Sequence, residues 1–135
     1  MRLAVVGGAH HGGRPLATAM TQEVTTTPVW AGDPDGHGHA LITVNLGQRT
    51  VCWELGAADI LLPATASHIH RAAPGVRGDI VVFLSVPDGS GVASGCRDGL
   101  DGALLRDILT HPDDFYVNVH NATYPADAIR GQLGG

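Results

Sequence analysis

The sequence contains no lysine, few aromatic residues and only two cysteines, and these scarcities exclude several classes of protein. All eight basic residues are arginines, scattered along a chain whose net charge is −5. No basic stripe can follow a phosphate backbone, so we expect no nucleic-acid partner. No apolar run reaches the roughly 20 residues that a membrane-spanning helix requires, so we expect no membrane span.

The remaining composition is that of a compact, turn-rich β protein. Hydrophobic residues make up 44% of the chain, charged residues 16% and aromatic residues 4%, so the core must be built mainly from Val, Leu, Ile and Ala. The 19 glycines and 8 prolines supply many turns. A length of 135 residues matches one ordinary domain.

The first 14 residues differ from the rest of the chain. The apolar stretch 3–6 is shorter than the roughly 7–15 residues of a signal-peptide core, and glycines and histidines follow it. We therefore expect a flexible lead-in over residues 1–14 and a single domain over 15–135. Because the signal is incomplete, the residues alone leave a cytoplasmic location open.

Alternation of apolar and polar residues predicts most of the strands. It is clearest in five segments, namely 16–20, 40–46, 51–55, 115–119 and 129–133. Gly47-Gln48 predicts a tight hairpin turn between the second and third of these segments. The nearly continuous apolar run Asp79–Val86 predicts a strand buried on both sides, and Pro87–Gly95 predicts a loop.

One short segment has helical periodicity instead. Leu100, Leu104, Leu105 and Ile108 recur at helical spacing, Asp98 or Asp101 is placed to cap the helix, and His111-Pro112 ends it. With about seven strands and this helix near Leu100–Leu109, the sequence predicts an all-β protein. The expected architecture is a single Greek-key β-sandwich or barrel.

The two cysteines, Cys52 and Cys96, are 44 residues apart in the sequence and lack the spacing of a structural zinc knuckle. From the pattern alone, a disulfide and a pair of buried free thiols are both open. A disulfide would imply an oxidising compartment.

Three motifs occur in an order that resembles a known family. They are Ala66–Arg71 (Ala-Ser-His-Ile-His-Arg), Phe115–Pro125 (beginning Phe-Tyr-Val-Asn-Val-His) and Ala128–Leu133 (Ala-Ile-Arg-Gly-Gln-Leu). Together they are similar to the chordin-type, or CHRD, domain family in its bacterial form, over about Pro15 to Leu133. Ala72 and Asp127 depart from it, since the family commonly has glycine at both positions.

The resemblance carries two implications. The family is usually exported, so it implies a secreted or extracytoplasmic protein. Related bacterial sequences carry a cysteine near each of the two positions, which implies the Cys52–Cys96 disulfide.

The histidines offer the clearest candidate chemistry. His68 and His70, two residues apart on a strand, must share a face, and His120 lies opposite Val117 and Val119 on its own strand. We therefore expect the three to emerge together on the outer side of one sheet. Imidazole is a ligand of copper and zinc, and the His-Ile-His strand resembles the copper strand of Cu/Zn superoxide dismutases, which are also Greek-key sandwiches. His68, His70 and His120 are the predicted metal ligands, and copper or zinc the predicted cofactor.

Three polar residues share this face and are predicted to orient the metal ligands through hydrogen bonds, namely Asn118, Arg130 and Gln132. The same polar residues also allow a second interpretation, in which the histidines belong to a structural hydrogen-bond network of an extracellular interaction module. His37 and His39 form a second His-x-His pair, in a glycine-rich stretch that predicts a loop. The sequence shows no Ser-His-Asp or cysteine-nucleophile arrangement.

Overall fold

The structure is a computed structural model that describes residues 13–26 and 28–134. The predicted lead-in, except for its last two residues, lies outside the described residues. Arg14 already belongs to the first strand, one residue before the predicted boundary. Within the described residues the strands are β1 (Arg14–Gln22), β2 (Val24–Thr26), β3 (Val29–Ala31), β4 (His37–Asn45), β5 (Thr50–Ala58), β6 (Ala66–Arg71), β7 (Asp79–Phe83), β8 (Val92–Arg97), β9 (Phe115–His120) and β10 (Ile129–Gln132).

Eight of these strands form one antiparallel sheet in the order β7-β6-β9-β10-β1-β4-β5-β8, and β2 pairs with β3 in a separate hairpin. The sheet curls until its two edges approach each other. Arg97 Nε on β8 donates to the carbonyl oxygen of Phe83 on β7 at 2.9 Å, and Ser85 Oγ donates to the carbonyl oxygen of Ser94 at 3.3 Å. The predicted all-β sandwich or barrel is confirmed as this half-barrel.

The alternating segments place their apolar residues inside the curl. Leu16, Ile42, Ile69 and Val117 are fully buried there, as the period of two predicts. The predicted helix is confirmed as α1 (Gly102–Thr110), followed by a short 3₁₀ helix (Pro112–Asp114). Its N-cap is Asp101, whose carboxylate accepts from Leu104 N.

The prediction for the apolar run Asp79–Val86 is wrong about burial. Its strand, β7, lies at one edge of the sheet, and only its inner face is covered. Val82 and Leu84 face the core, whereas Ile80 is 41% exposed and Phe83 is 56% exposed. Apolar residues on the open face of an edge strand give the same sequence pattern as a strand buried on both sides.

The prediction of a loop over Pro87–Gly95 is also wrong, because β8 begins at Val92. This strand is rich in small residues and shows no apolar–polar alternation. Its backbone pairing with β5 is what makes it a strand. A side chain at Gly95 would come within 2.9 Å of the Trp53 ring, so glycine is needed at this contact. β2, β3 and β8 were too short or too irregular for periodicity, which is why about seven strands were predicted.

Two smaller expectations also need correction. The turn after β4 spans residues 46–49 instead of two residues, and Arg49 takes a positive φ of 58° within it. His37 and His39 lie on β4, not in a loop, because pairing with β5 extends the strand through the glycines around them. In the parts of the chain that the structure describes, no helix has the length and apolarity to cross a bilayer.

The disulfide is confirmed. Cys52 on β5 and Cys96 on β8 stand directly opposite each other, with a Cα–Cα distance of 4.0 Å. The bridge therefore ties the edge strand β8 to the sheet. Closing a loop of 44 residues stabilises a fold by about 4 kcal/mol in the chain-entropy treatment.

Candidate metal centre

The three predicted histidines converge on the outer face of the sheet. β6 and β9 are antiparallel neighbours, and their register places His68 opposite Asn118, His70 opposite Tyr116 and His120 opposite Ala66. The ring of His68 lies 5.4 Å from that of His70 and 5.2 Å from that of His120, measured between centroids. One ring nitrogen from each histidine lies within 4.8 Å of the other two. The predicted convergence is confirmed.

This face is covered by the loop of residues 72–78, so the histidines are less open than an outer face would suggest. Gly78 in this loop accepts a hydrogen bond from His70 Nδ1 at 2.9 Å, and its own N–H donates to Tyr116 Oη at 3.2 Å. The His70 ring also stacks on Tyr116, 4.7 Å between centroids. His68 and His70 are consequently 9% and 7% exposed, whereas His120 is half-buried.

Backbone carbonyls fix the tautomers of two rings. His70 Nδ1 faces the Gly78 carbonyl oxygen, and His120 Nδ1 faces the Pro125 carbonyl oxygen at 3.1 Å. A neutral imidazole carries one N–H, so each ring donates from Nδ1 and keeps a lone pair on Nε2. Nε2 of His70 and Nδ1 of His68 are buried without a hydrogen-bond partner.

The surroundings keep all three rings neutral. Burial lowers the pKa of His68 to about 4, helped by repulsion from His120 and His70. Burial is also the main cause that lowers the pKa of His70 and of His120. The imidazole lone pairs are therefore available at neutral pH without competition from a proton.

Of the three predicted supporting residues, only Asn118 reaches the histidines directly. Its Nδ2 lies 3.1 Å from His120 Nε2 and also donates to Asp127 Oδ2 at 3.1 Å. In this arrangement the amide occupies the His120 nitrogen that the Pro125 carbonyl leaves with a lone pair.

Arg130 and Gln132 act through the covering loop instead. Arg130 donates to the carbonyl oxygens of Val76 at 2.7 Å and Ala73 at 2.9 Å, and its guanidinium lies 3.4 Å from the centroid of the Tyr116 ring. Gln132 Nε2 donates to the carbonyl oxygen of Ala72 at 3.0 Å. Both residues thus hold the loop that covers the histidines.

Sequence reasoning missed a buried acid pair behind this network. Arg130 donates to Glu23 Oε1 at 3.2 Å, and Glu23 and Asp127 are 1% and 2% exposed. Burial, then the neighbouring Glu23 carboxyl, raise the pKa of Asp127 to about 10. Asp127 Oδ1 and Glu23 Oε2 otherwise lack a partner, and a proton on Asp127 that is donated to Glu23 satisfies both. The departure of Asp127 from the family glycine was the available signal.

The second His-x-His pair is not part of this centre. His37 and His39 lie on β4, in the other half of the sheet, and line a separate open groove with Gly56 and Gly91. His37 Nδ1 is 3.4 Å from the exposed Asp59 carboxylate. The structure thus brings together the predicted set of three and leaves this pair apart.

The donor set fits a transition-metal ion. Zinc–imidazole bonds of about 2.0–2.1 Å in a tetrahedral site place ligand nitrogens about 3.3 Å apart. The three nitrogens lie within 4.8 Å of one another, so small side-chain rotations would bring them to that spacing. Three imidazoles leave a further coordination position open, which is the arrangement of reactive sites.

Comparison with known proteins gives a family and nothing closer. No curated protein and no solved structure matches this chain. Residues 16–133 match the CHRD domain, and this range includes all three histidines, both cysteines and every strand of the sheet except the start of β1. The match covers most of the sequence, and the chain therefore belongs to the CHRD domain family.

Proposed function

We propose that this protein binds one copper or zinc ion with His68, His70 and His120 and presents it to an external ligand. The observation that carries the proposal is the pair of buried, unpartnered imidazole nitrogens, His68 Nδ1 and His70 Nε2, in one three-histidine cluster. A buried polar atom without a partner costs about 1–3 kcal/mol. An ion shared by the cluster would remove that cost.

The ligands are held in the manner that metal sites require. The carbonyl oxygens of Gly78 and Pro125 receive the Nδ1 hydrogens of His70 and His120, which orients both rings and raises their basicity. Arg130 and Gln132 hold the loop that carries Gly78. These contacts would exist before the ion arrives, so the ligand side chains would lose little conformational entropy on binding.

The bound ion would supply Lewis-acid chemistry, and copper would also supply one-electron chemistry. The chain's own residues would do the rest. His68 and His70 are nearly excluded from solvent, and Phe83 places its ring 5.1 Å from His68, so the site is walled by apolar surface on one side. The half-buried His120 marks the side from which a ligand would enter.

We also infer an extracytoplasmic location. The Cys52–Cys96 disulfide requires oxidising conditions to form and persist, and the family is of extracellular type. Secretion is consistent with both observations.

A second candidate function is a structural interaction module without a metal. It is favoured by the bond from Asn118 to His120 Nε2, which already satisfies one of the three nitrogens. The two unpartnered nitrogens on His68 and His70 weigh against it, because a finished hydrogen-bond network leaves few such atoms.

Calorimetric titration of tag-free protein with Zn²⁺ and with Cu²⁺ separates the two functions. We expect one ion per chain, and we expect His120→Ala to weaken binding at least a hundredfold. His39→Ala is the matched control, since it removes a histidine outside the cluster and should leave the affinity unchanged. Equal affinities for the wild type and His120→Ala would support the structural module.

A further inference from the structure

The loop that covers the histidines brings one arginine to the edge of the cluster. Arg77 directly precedes Gly78, the residue that accepts from His70, and its Nη2 donates to the carbonyl oxygen of Ala126 at 3.1 Å. His120 donates to the carbonyl oxygen of Pro125, the preceding residue. The guanidinium and the imidazole are therefore held against the same two-residue stretch of chain.

Arg77 has hydrogen-bonding capacity to spare. Among the residues that the structure describes, its guanidinium makes one hydrogen bond, which engages a single nitrogen of a group with five N–H donors. Within the described residues, the arginines that pair with a carboxylate are Arg71 and Arg130, and Arg77 has no such partner there. The residue is only partly exposed, and its hydrogen bond to Ala126 ties it to the segment next to Pro125.

The charges around the site favour an anion in a chain that is acidic overall. The buried carboxylate of Glu23 is already paired with Arg130 at 3.2 Å, so it leaves Arg77 without competition from this group. A divalent ion on the histidines would then make a positive site with no acidic partner beyond the one already paired.

We propose that Arg77 is an anion-binding residue of this site, and that the external ligand is a small anion that coordinates the ion and pairs with the guanidinium. Carboxylates, carbonate and azide have this chemistry. Phe83, whose ring lies 5.1 Å from that of His68, would offer the ligand an apolar contact on one side of the cluster. This inference rests on the proposed metal site and names the class of ligand that the site selects.

Azide binding to Cu²⁺-loaded protein tests the inference, followed through the azide-to-copper charge-transfer absorbance. Copper loading of each variant is measured first. We expect Arg77→Gln to load normally and to weaken azide binding about tenfold, the size of a lost charged hydrogen bond. Arg77→Lys should recover part of this loss because it keeps the charge.

Two controls separate charge from structural damage. Arg106→Gln removes the same charge from the exposed face of α1 and should change azide affinity less than twofold. Neutral imidazole should bind Arg77→Gln as tightly as the wild type. Unchanged azide affinity in copper-loaded Arg77→Gln would overturn the inference alone, as would a loss that is equal for imidazole. Failure of the wild type to bind copper would overturn the metal site itself, before any azide is added.

Discussion

The side-chain amide of Asn118 donates to Nε2 of His120 across 3.1 Å, because Nδ1 of the same ring faces the Pro125 carbonyl oxygen. An ion that binds His120 at this nitrogen must displace the amide. The relation between the two residues would therefore make Asn118 a competitor of an ion at this nitrogen, whereas its position in the sequence predicted a supporting role.

Removing the competitor should strengthen metal binding while weakening the metal-free fold. We expect Asn118→Ala to lower the free energy of unfolding of metal-free protein by about 1–2 kcal/mol, because Asp127 and His120 both lose a hydrogen bond. Its Zn²⁺ affinity should rise about fivefold to tenfold. Urea denaturation and calorimetry measure the two effects, and a weaker Zn²⁺ affinity would show that the amide supports His120 in the bound state.

The proton on Asp127 predicts an unusual pH dependence of stability. The folded state keeps this proton up to a pKa of about 10, whereas the unfolded chain releases it near its ordinary value of 3.8. The unfolded state thus binds fewer protons between these values, and the wild type loses stability as the pH rises through this window.

Asp127→Asn should remove that loss, because its amide donates to Glu23 without titrating. Its stability relative to the wild type should be near zero at about pH 4 and should grow by up to about 1.4 kcal/mol for each pH unit from there to pH 8. The histidines contribute equally to both proteins and cancel in the difference. Urea denaturation at several pH values checks this, and a difference that stays constant with pH would place the proton elsewhere.

The neutral histidines predict that, in acid, the stability of the protein falls as the pH falls, which is the opposite trend. The pKa of His68 falls from 6.5 in the unfolded chain to about 4 in the fold. As the pH falls below 6.5 the unfolded state gains a proton that the folded state refuses, so metal-free protein loses stability. Between about pH 6.5 and pH 5, the free energy of unfolding of His68→Gln should fall by about 1 kcal/mol less than that of the wild type. Parallel stability curves for the two proteins would contradict the neutral ring.

The disulfide should account for a large share of the stability. Replacing both cysteines, as Cys52→Ser with Cys96→Ser, should lower the free energy of unfolding by about 2–4 kcal/mol and free the edge strand β8. Thiol titration of oxidised, unfolded wild-type protein should find no free thiol. Two titratable thiols in that sample would contradict the bridge.

Much of the fold and the core of the site followed from local pattern. Period-two alternation identified the inner faces of β1, β4, β5, β9 and β10, and the spacing of His68 and His70 put both on one face. That spacing also made the meeting with His120 predictable, given that the two strands are neighbours. The faces could be predicted because each depends on the geometry of a single strand, whereas the meeting of the three histidines also required the pairing of β6 with β9.

The rest depended on contacts between distant segments. Glu23 and Arg130 form an ion pair across 107 positions of sequence, and nothing local marks either as buried. The prediction that β7 is buried on both sides failed for a related reason, because only the sheet topology shows that it is an edge strand. Arg77 stood in a glycine- and proline-rich loop, where its position depends on where the loop folds back.

The most direct test of the metal site is anomalous diffraction from crystals of zinc- or copper-loaded protein, recorded at the absorption edge of the metal. We expect a single strong peak about 2.0–2.1 Å from one nitrogen of each of His68, His70 and His120. A fully loaded crystal with no peak among these three rings, or with its peak at His37 and His39 instead, would contradict it.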